Sequence, residues 1–63
     1  MKNLCYRKSD GLIFGFAYVD FSQQDWYQDD PSSYEIINIS QELEMGPGQW
    51  KYNIDGTVER VLM

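Results

Sequence analysis

The sequence contains no histidine and a single cysteine, Cys5. One cysteine excludes a disulfide within the chain, and the missing histidine removes both a common zinc ligand and the commonest general acid or base. With 63 residues, the chain forms one domain, residues 1–63, that buries only about 60% of its unfolded surface. A core this small usually needs support, and the remaining source is a second copy or another protein.

Lysine and arginine are absent from the whole stretch between Ser9 and Trp50, which holds eight of the ten acidic residues. The net charge is −5. Phosphate binding needs clustered Lys or Arg, so we expect no direct contact with nucleic acid. We interpret the acidic stretch as a solvated surface, and the alternative is a surface that meets a basic partner.

Long apolar runs are also missing. The longest, Leu12–Val19, is much shorter than the roughly 20 residues that cross a bilayer. The chain also begins without the apolar stretch that is typical of a signal peptide. We therefore expect a protein that is made in the cytoplasm and has no membrane partner.

No residue pattern indicates catalysis or a bound cofactor. The segment Gly46-Pro47-Gly48 lacks the lysine and the following helix of a phosphate-binding loop. One loop is rich in carboxylates that could offer oxygens to calcium: Asp20, Asp25, Asp29 and Asp30. Their spacing matches no calcium-binding loop, so an ordinary solvated loop is the favoured interpretation. We predict a non-enzymatic protein without cofactor or metal.

Two turn sequences predict the fold class. Ser9-Asp10-Gly11 and Ile54-Asp55-Gly56 each place Asp before a Gly that adopts positive φ easily, and extended segments flank both. The predicted strands are Asn3–Lys8, Leu12–Val19, Tyr34–Ile39, Gln49–Asn53 and Thr57–Leu62. The segment between the second and third strands is predicted to be a polar loop, with at most one helical turn from Ser22. We expect an all-β, small antiparallel meander of about five strands, two β-hairpins plus a middle strand, with a curled open barrel as the alternative arrangement.

Cross-strand pairing favours three-residue loops in both hairpins. In the second hairpin such a loop pairs Lys51 with Glu59 rather than with Arg60. It also predicts two further favourable pairs, Tyr52 with Val58 and Trp50 with Arg60. In the first hairpin the same loop length predicts the pairs Tyr6 with Phe14 and Leu4 with Phe16.

The second strand is apolar on both of its predicted faces. One face carries Leu12, Phe14, Phe16 and Tyr18, and the other carries Ile13, Gly15, Ala17 and Val19. A strand of this kind is covered on two sides. Five short strands without a long helix leave one side open, so we expect a second copy or another protein to cover it. A sheet that curls closed is the alternative.

Five residues are candidates for protein contacts. Trp26 and Tyr27 lie in a polar, acidic loop, and these residue types are enriched at interfaces. The alternative is that Trp26 folds back and fills the core. Three apolar or aromatic strand residues complete the prediction: Phe16, Tyr18 and Ile37.

Three segments resemble parts of small β modules in phage tail-fibre and other virion proteins. Arg7–Phe16 is similar to their charged-turn opening, Glu35–Ile39 to a following strand, and Tyr52–Val58 to the closing hairpin. The resemblance implies a virion structural component of a fibre, tail or minor capsid, made in the host cytoplasm. Such a component packs against copies of itself or against a larger virion protein, and it has no catalytic residues.

A competing hypothesis is a small acidic phage-encoded inhibitor that stays in the host cytoplasm. It would bind a host nucleic-acid enzyme by presenting carboxylates where phosphates would lie. The acidic central stretch favours this hypothesis, whereas the high aromatic and apolar content favours the structural one.

Overall fold

The computed structural model describes residues 2–40 and 42–61. Its strands are β1 (Lys2–Arg7), β2 (Ile13–Ala17), β3 (Tyr34–Ile39), β4 (Trp50–Tyr52) and β5 (Val58–Arg60). They form a three-stranded antiparallel sheet of order β2-β1-β3 and a separate β4-β5 hairpin. The predicted all-β class is confirmed. The strand order differs from a meander because β3 pairs with β1, and the two sheets do not close into a barrel. Leu62, the predicted end of the last strand, lies outside the described residues.

The first hairpin confirms one predicted pair and corrects the other. Leu4 lies opposite Phe16 as predicted, but the register shifts between Cys5 and Tyr6, so that Tyr6 lies opposite Ile13 rather than Phe14. The cause is a four-residue loop, residues 8–11, in place of the predicted three-residue loop. Its closing bonds are Arg7 N to Leu12 O at 2.8 Å and Gly11 N to Arg7 O at 2.7 Å. The additional residue is absorbed by a β-bulge in β2.

The second hairpin confirms the predicted register in full, with Trp50 opposite Arg60, Lys51 opposite Glu59 and Tyr52 opposite Val58. Its loop has three residues, and Gly56 has a φ of 90°. The Lys51 Nζ and Glu59 Oε1 atoms are 3.3 Å apart. The Arg60 guanidinium lies 5.2 Å from the Trp50 ring centroid.

Residues 20–33, the helical segment, were predicted to be mainly loop and instead form three short helices. These are a 3₁₀ turn at Phe21–Gln23, helix α1 at Asp25–Asp29 and a 3₁₀ turn at Pro31–Ser33. The first begins one residue earlier than predicted because Asp20 caps it, its Oδ1 accepting from Ser22 N at 3.0 Å. Asx side chains satisfy free N–H groups at helix starts in this way.

The chain covers both faces of its own three-stranded sheet. Leu4 and Cys5, neighbours in β1, are both 0% exposed, and Phe21 completes the described buried core at 7%. Phe21 packs on Gly15, where an added Cβ would lie 2.4 Å from the ring. On the Leu4 face, the Tyr6 and Tyr52 rings are 5.2 Å apart and connect β1 to β4. The helical segment therefore packs on the Cys5 face and the β4-β5 hairpin contacts the Leu4 face. The chain itself supplies cover that was expected from a partner, and the partner stays a prediction.

Candidate protein-binding surfaces

Four aromatic side chains form one cluster on the Cys5 face of the sheet, here named the aromatic surface: Phe14, Trp26, Tyr27 and Tyr34. The Phe14 ring centroid lies 5.3 Å from that of Trp26 and 5.1 Å, edge-on, from that of Tyr34. Trp26 and Tyr34 are 5.2 Å apart, and Tyr27 lies 5.8 Å from Tyr34. Aromatic pairs at these separations stabilise a fold by more than their buried area alone would. The ring contacts therefore hold the four side chains in place relative to one another.

Three different elements position this cluster. The β-bulge moves Phe14 away from the Leu4 face, helix α1 supplies Trp26 and Tyr27, and Tyr34 begins β3. Trp26 folds back over the sheet, 6.4 Å from the buried Phe21 ring. Trp26 thus folds back, as in the alternative interpretation, but its side chain is only half-buried and does not belong to the buried core.

The aromatic surface is open to solvent at Phe14, which is 39% exposed. The Arg7 guanidinium stands 5.7 Å from the Phe14 ring centroid and binds Asp10 at 2.5 Å. Hydrogen bonds from Arg7 and from the Leu12 N–H lower the pKa of Asp10 from 3.8 to about 2. The loop of the first hairpin thus holds one cation against the edge of the aromatic surface.

The five predicted contact residues divide between the two faces. Trp26 and Tyr27 belong to the aromatic surface. Phe16 and Ile37 flank Leu4 on the opposite face, where both are half-buried. Tyr18 is 74% exposed, and Lys2 Nζ lies 4.9 Å from the Phe16 ring and 5.7 Å from the Tyr18 ring.

Sequence reasoning missed two members of the aromatic surface, Phe14 and Tyr34. Strict alternation along the strand predicted Phe14 on the same face as Phe16. No sequence signal marks the bulge that turns the Phe14 side chain to the other face. Tyr34 was recognised as the start of a strand, and its proximity to Trp26 follows only from the fold of the helical segment. The available signal for the short helices was the aspartate-rich sequence of the helical segment. Aspartate favours helix caps and turns over extended loop.

The five basic residues all have partners within the chain, whereas much of the acidic charge does not. Lys2, Lys8 and Lys51 pair with glutamates, Arg7 pairs with Asp10, and Arg60 covers Trp50. Among residues 2–40 and 42–61, the helical segment has no ion pair for its four carboxylates, Asp20, Asp25, Asp29 and Asp30. Uncompensated negative charge therefore lies on the segment that supplies Trp26 and Tyr27.

The described part of the chain holds no group of three Cys, Asp or Glu residues arranged to bind a metal. Cys5 is buried, and this burial raises the pKa of its thiol. A buried thiol with a raised pKa is a packing group rather than a nucleophile. No described helix is both long and apolar enough to cross a membrane.

An open cleft of about 350 Å³ separates the two hairpins, with Tyr6, Lys8, Lys51 and Tyr52 among its lining residues. Its two lysines lie 3.8 Å from Glu35 and 3.3 Å from Glu59. Because each ammonium already has a carboxylate partner, the cleft is not a preformed anion site.

No protein-family model, curated protein or solved structure matches this chain.

Proposed function

We propose that the chain is a non-enzymatic structural protein that binds a protein partner through its aromatic surface. The observation that supports this proposal is a cluster of four aromatic side chains that is internally packed yet open at Phe14. Tyr, Trp and Phe are enriched at the centres of protein interfaces, where they supply large contact areas at low entropic cost. A cluster already fixed by ring contacts also loses little conformational freedom on binding.

The setting that we propose is a phage particle. The supporting observation is the resemblance of Arg7–Phe16, Glu35–Ile39 and Tyr52–Val58 to β modules of virion proteins. In this setting the chain is a minor component of a fibre, tail or capsid. It packs against a larger virion protein or against further copies of itself, and it is made in the host cytoplasm before assembly.

Analysis of purified particles tests this function. Particles of the phage that encodes the chain are banded on a density gradient, and the chain is quantified by mass spectrometry. We expect wild-type protein in the particle band and a several-fold loss for Trp26→Ala. Ile54→Ala is the matched control, because Ile54 is fully exposed and its variant should be retained. A chain that is made in infected cells but absent from the particle band would refute the virion assignment.

A second candidate is the acidic inhibitor of a host nucleic-acid enzyme. It is favoured by one observation, the carboxylates of the helical segment that lack ion pairs while every basic residue is engaged. This function predicts that the chain competes with duplex DNA for such an enzyme at low salt. The double variant Asp25→Asn/Asp29→Asn should weaken the competition, and absence of competition at low salt would exclude this candidate.

A further inference from the structure

One edge of the three-stranded sheet has no partner strand. Within residues 2–40 and 42–61, β3 pairs with β1 alone, and no backbone hydrogen bond reaches its other side. This outer edge of β3 spans Tyr34–Ile39 and contains three isoleucines, no proline and no lysine. Natural sheets normally protect exposed edges with charged side chains, lysine above all, with proline or with bulges. Apart from Glu35, which pairs with Lys8 of its own chain, the outer edge of β3 has no charged residue, no proline and no bulge. It is therefore suited to pairing with another strand.

The hydrogen-bond pattern identifies the groups that point outward. Lys8 N donates to Ser33 O at 2.8 Å, and these two residues lie one step beyond the Arg7–Tyr34 pair that ends the β1-β3 register. Because bonded pairs alternate in antiparallel sheets, Glu35 and Ile37 also direct their backbone groups toward β1. Ile36 and Asn38 therefore direct theirs outward.

At the start of β3 only the carbonyl is available. Tyr34 N–H donates to Pro31 O within the preceding 3₁₀ turn, so Tyr34 offers its carbonyl but no donor to a new strand. The outer edge thus presents the N–H and C=O groups of Ile36 and Asn38 and the C=O group of Tyr34.

We propose that a second copy of this chain pairs antiparallel with the outer edge of β3, with Ile36 of one copy opposite Ile36 of the other. In this register the two Ile36 residues exchange a pair of bonds, and each Asn38 N–H donates to the Tyr34 carbonyl of the other copy. The seam gains about four backbone hydrogen bonds and joins the two sheets into one. The contact is isologous, the commonest form of a homodimer.

Charge disfavours the neighbouring register centred on Glu35. With Ile36 at the centre, Glu35 lies opposite Ile37 of the second copy. A register centred on Glu35 would instead place two carboxylates directly opposite each other, which is unfavourable. The Ile36 register also uses every outward donor of the edge, whereas the Glu35 register leaves Asn38 outside the pairing.

This inference rests on the self-association part of the proposed function. The dimer can nevertheless fail while the virion assignment holds. Tyr34 belongs to both the outer edge and the aromatic surface, so pairing would place the two aromatic surfaces on one face of the joined sheet. A chain that stays monomeric could still bind a different virion protein through that surface. The particle analysis described above would then give the positive result without the dimer.

Sedimentation equilibrium of synthetic chains tests the pairing. The test variant carries an N-methyl group on the Ile36 amide, which removes the outward donor and leaves the side chain intact. The matched control carries the same group on Ile54, an exposed loop isoleucine. Circular dichroism verifies that both variants keep their strands.

We expect the wild-type chain to form a dimer whose fraction rises with concentration, and the Ile54 control to behave identically. The Ile36 variant should need at least ~10-fold more protein to dimerise, the equivalent of about 1.4 kcal/mol. Salt should favour the dimer, because each copy has a net charge of −5 and the Debye length falls from about 10 Å to about 3 Å between 0.1 M and 1 M. A wild-type chain that remains monomeric in both salts, or an Ile36 variant that dimerises like the control, would overturn the proposal.

Discussion

Leu4 and Cys5 are consecutive residues of β1 that point to opposite faces of the sheet, and both are completely buried. One chain of this size therefore covers both sides of its central strand. Phe21 packs on the Cys5 side, and the β4-β5 hairpin reaches the Leu4 side through the Tyr6–Tyr52 contact. A partner is needed for function under our proposal, but it is not needed to cover a bare face of the sheet.

Truncation of Leu4 should unfold the domain. Leu4→Ala removes buried methyl groups and leaves a cavity, which costs about 2–5 kcal/mol in tightly packed cores. A single small core rarely supplies more than about 3–5 kcal/mol. Urea denaturation followed by circular dichroism should show a variant that is largely unfolded without denaturant. Ile54→Ala, at a fully exposed position, should change the unfolding free energy by less than about 0.5 kcal/mol. Equal effects of the two substitutions would show that Leu4 is not a core residue.

The contact between Gly15 and Phe21 should tolerate no added methyl group. A Cβ at Gly15 would lie 2.4 Å from the Phe21 ring, so Gly15→Ala should destabilise the fold by about 1–3 kcal/mol through overpacking. Gly46→Ala is the control, because its nearest atom is the flexible end of Arg60 at 3.4 Å. In the double variant Gly15→Ala/Phe21→Leu, the smaller leucine side chain should recover part of the unfolding free energy that Gly15→Ala loses. If the losses of unfolding free energy from Gly15→Ala and Phe21→Leu simply add in the double variant, the contact between Gly15 and Phe21 is contradicted.

The loop of the second hairpin should require glycine at position 56. Gly56 has a φ of 90°, a conformation that costs other residues about 1 kcal/mol or more, and asparagine least among them. Thermal unfolding should therefore rank wild type above Gly56→Asn and Gly56→Asn above Gly56→Ala. An alanine variant as stable as wild type would argue against the three-residue loop.

The ion pair of Asp10 with Arg7 should make stability depend on pH. The pKa of Asp10 in the folded chain is about 2, below its ordinary value of 3.8. The ionised carboxylate therefore stabilises the fold above pH 3.8, and this contribution disappears as the pH falls through about 2. Asp10→Asn should lower the Tm at neutral pH, and its Tm should converge with that of wild type in acid.

Asp29→Asn is the control for this comparison. It removes one carboxylate from a residue without an ion pair among the described residues, and it should leave the Tm nearly unchanged at neutral pH. A Tm difference between Asp10→Asn and wild type that persists unchanged at pH 2 would contradict the assignment of the stabilisation to this ion pair.

The sequence predicted those features that depend on neighbouring residues. The second hairpin was predicted in register because Asp55-Gly56 and the Lys51–Glu59 pair agree on a single loop length. The bounds of β3 were also predicted correctly, as Tyr34–Ile39. In the first hairpin, by contrast, the aromatic pairing favoured a three-residue loop, and the bulge that moves Phe14 to the other face leaves no local signal.

Features that depend on contacts between distant residues were not predictable in the same way. The pairing of β3 with β1 follows from the helical segment, which carries the chain past β1 and covers the Cys5 face. Its short helices depend on Asp20 capping and on the packing of Phe21 and Trp26, none of which shows as helical periodicity. For the same reason, Trp26 and Tyr27 were recognised as contact candidates without the two aromatic residues that complete their surface.

Residue-resolved amide hydrogen exchange, measured by NMR at low and high protein concentration, tests most directly whether the chain covers both faces yet leaves one edge open. We predict that the Leu4 and Cys5 amides exchange slowly even in dilute solution. The Ile36 amide should exchange rapidly there and become protected only as concentration rises. Leu4 and Cys5 amides that exchange as fast as Ile36 in dilute solution would contradict this account, because the chain would then lack a stable core of its own.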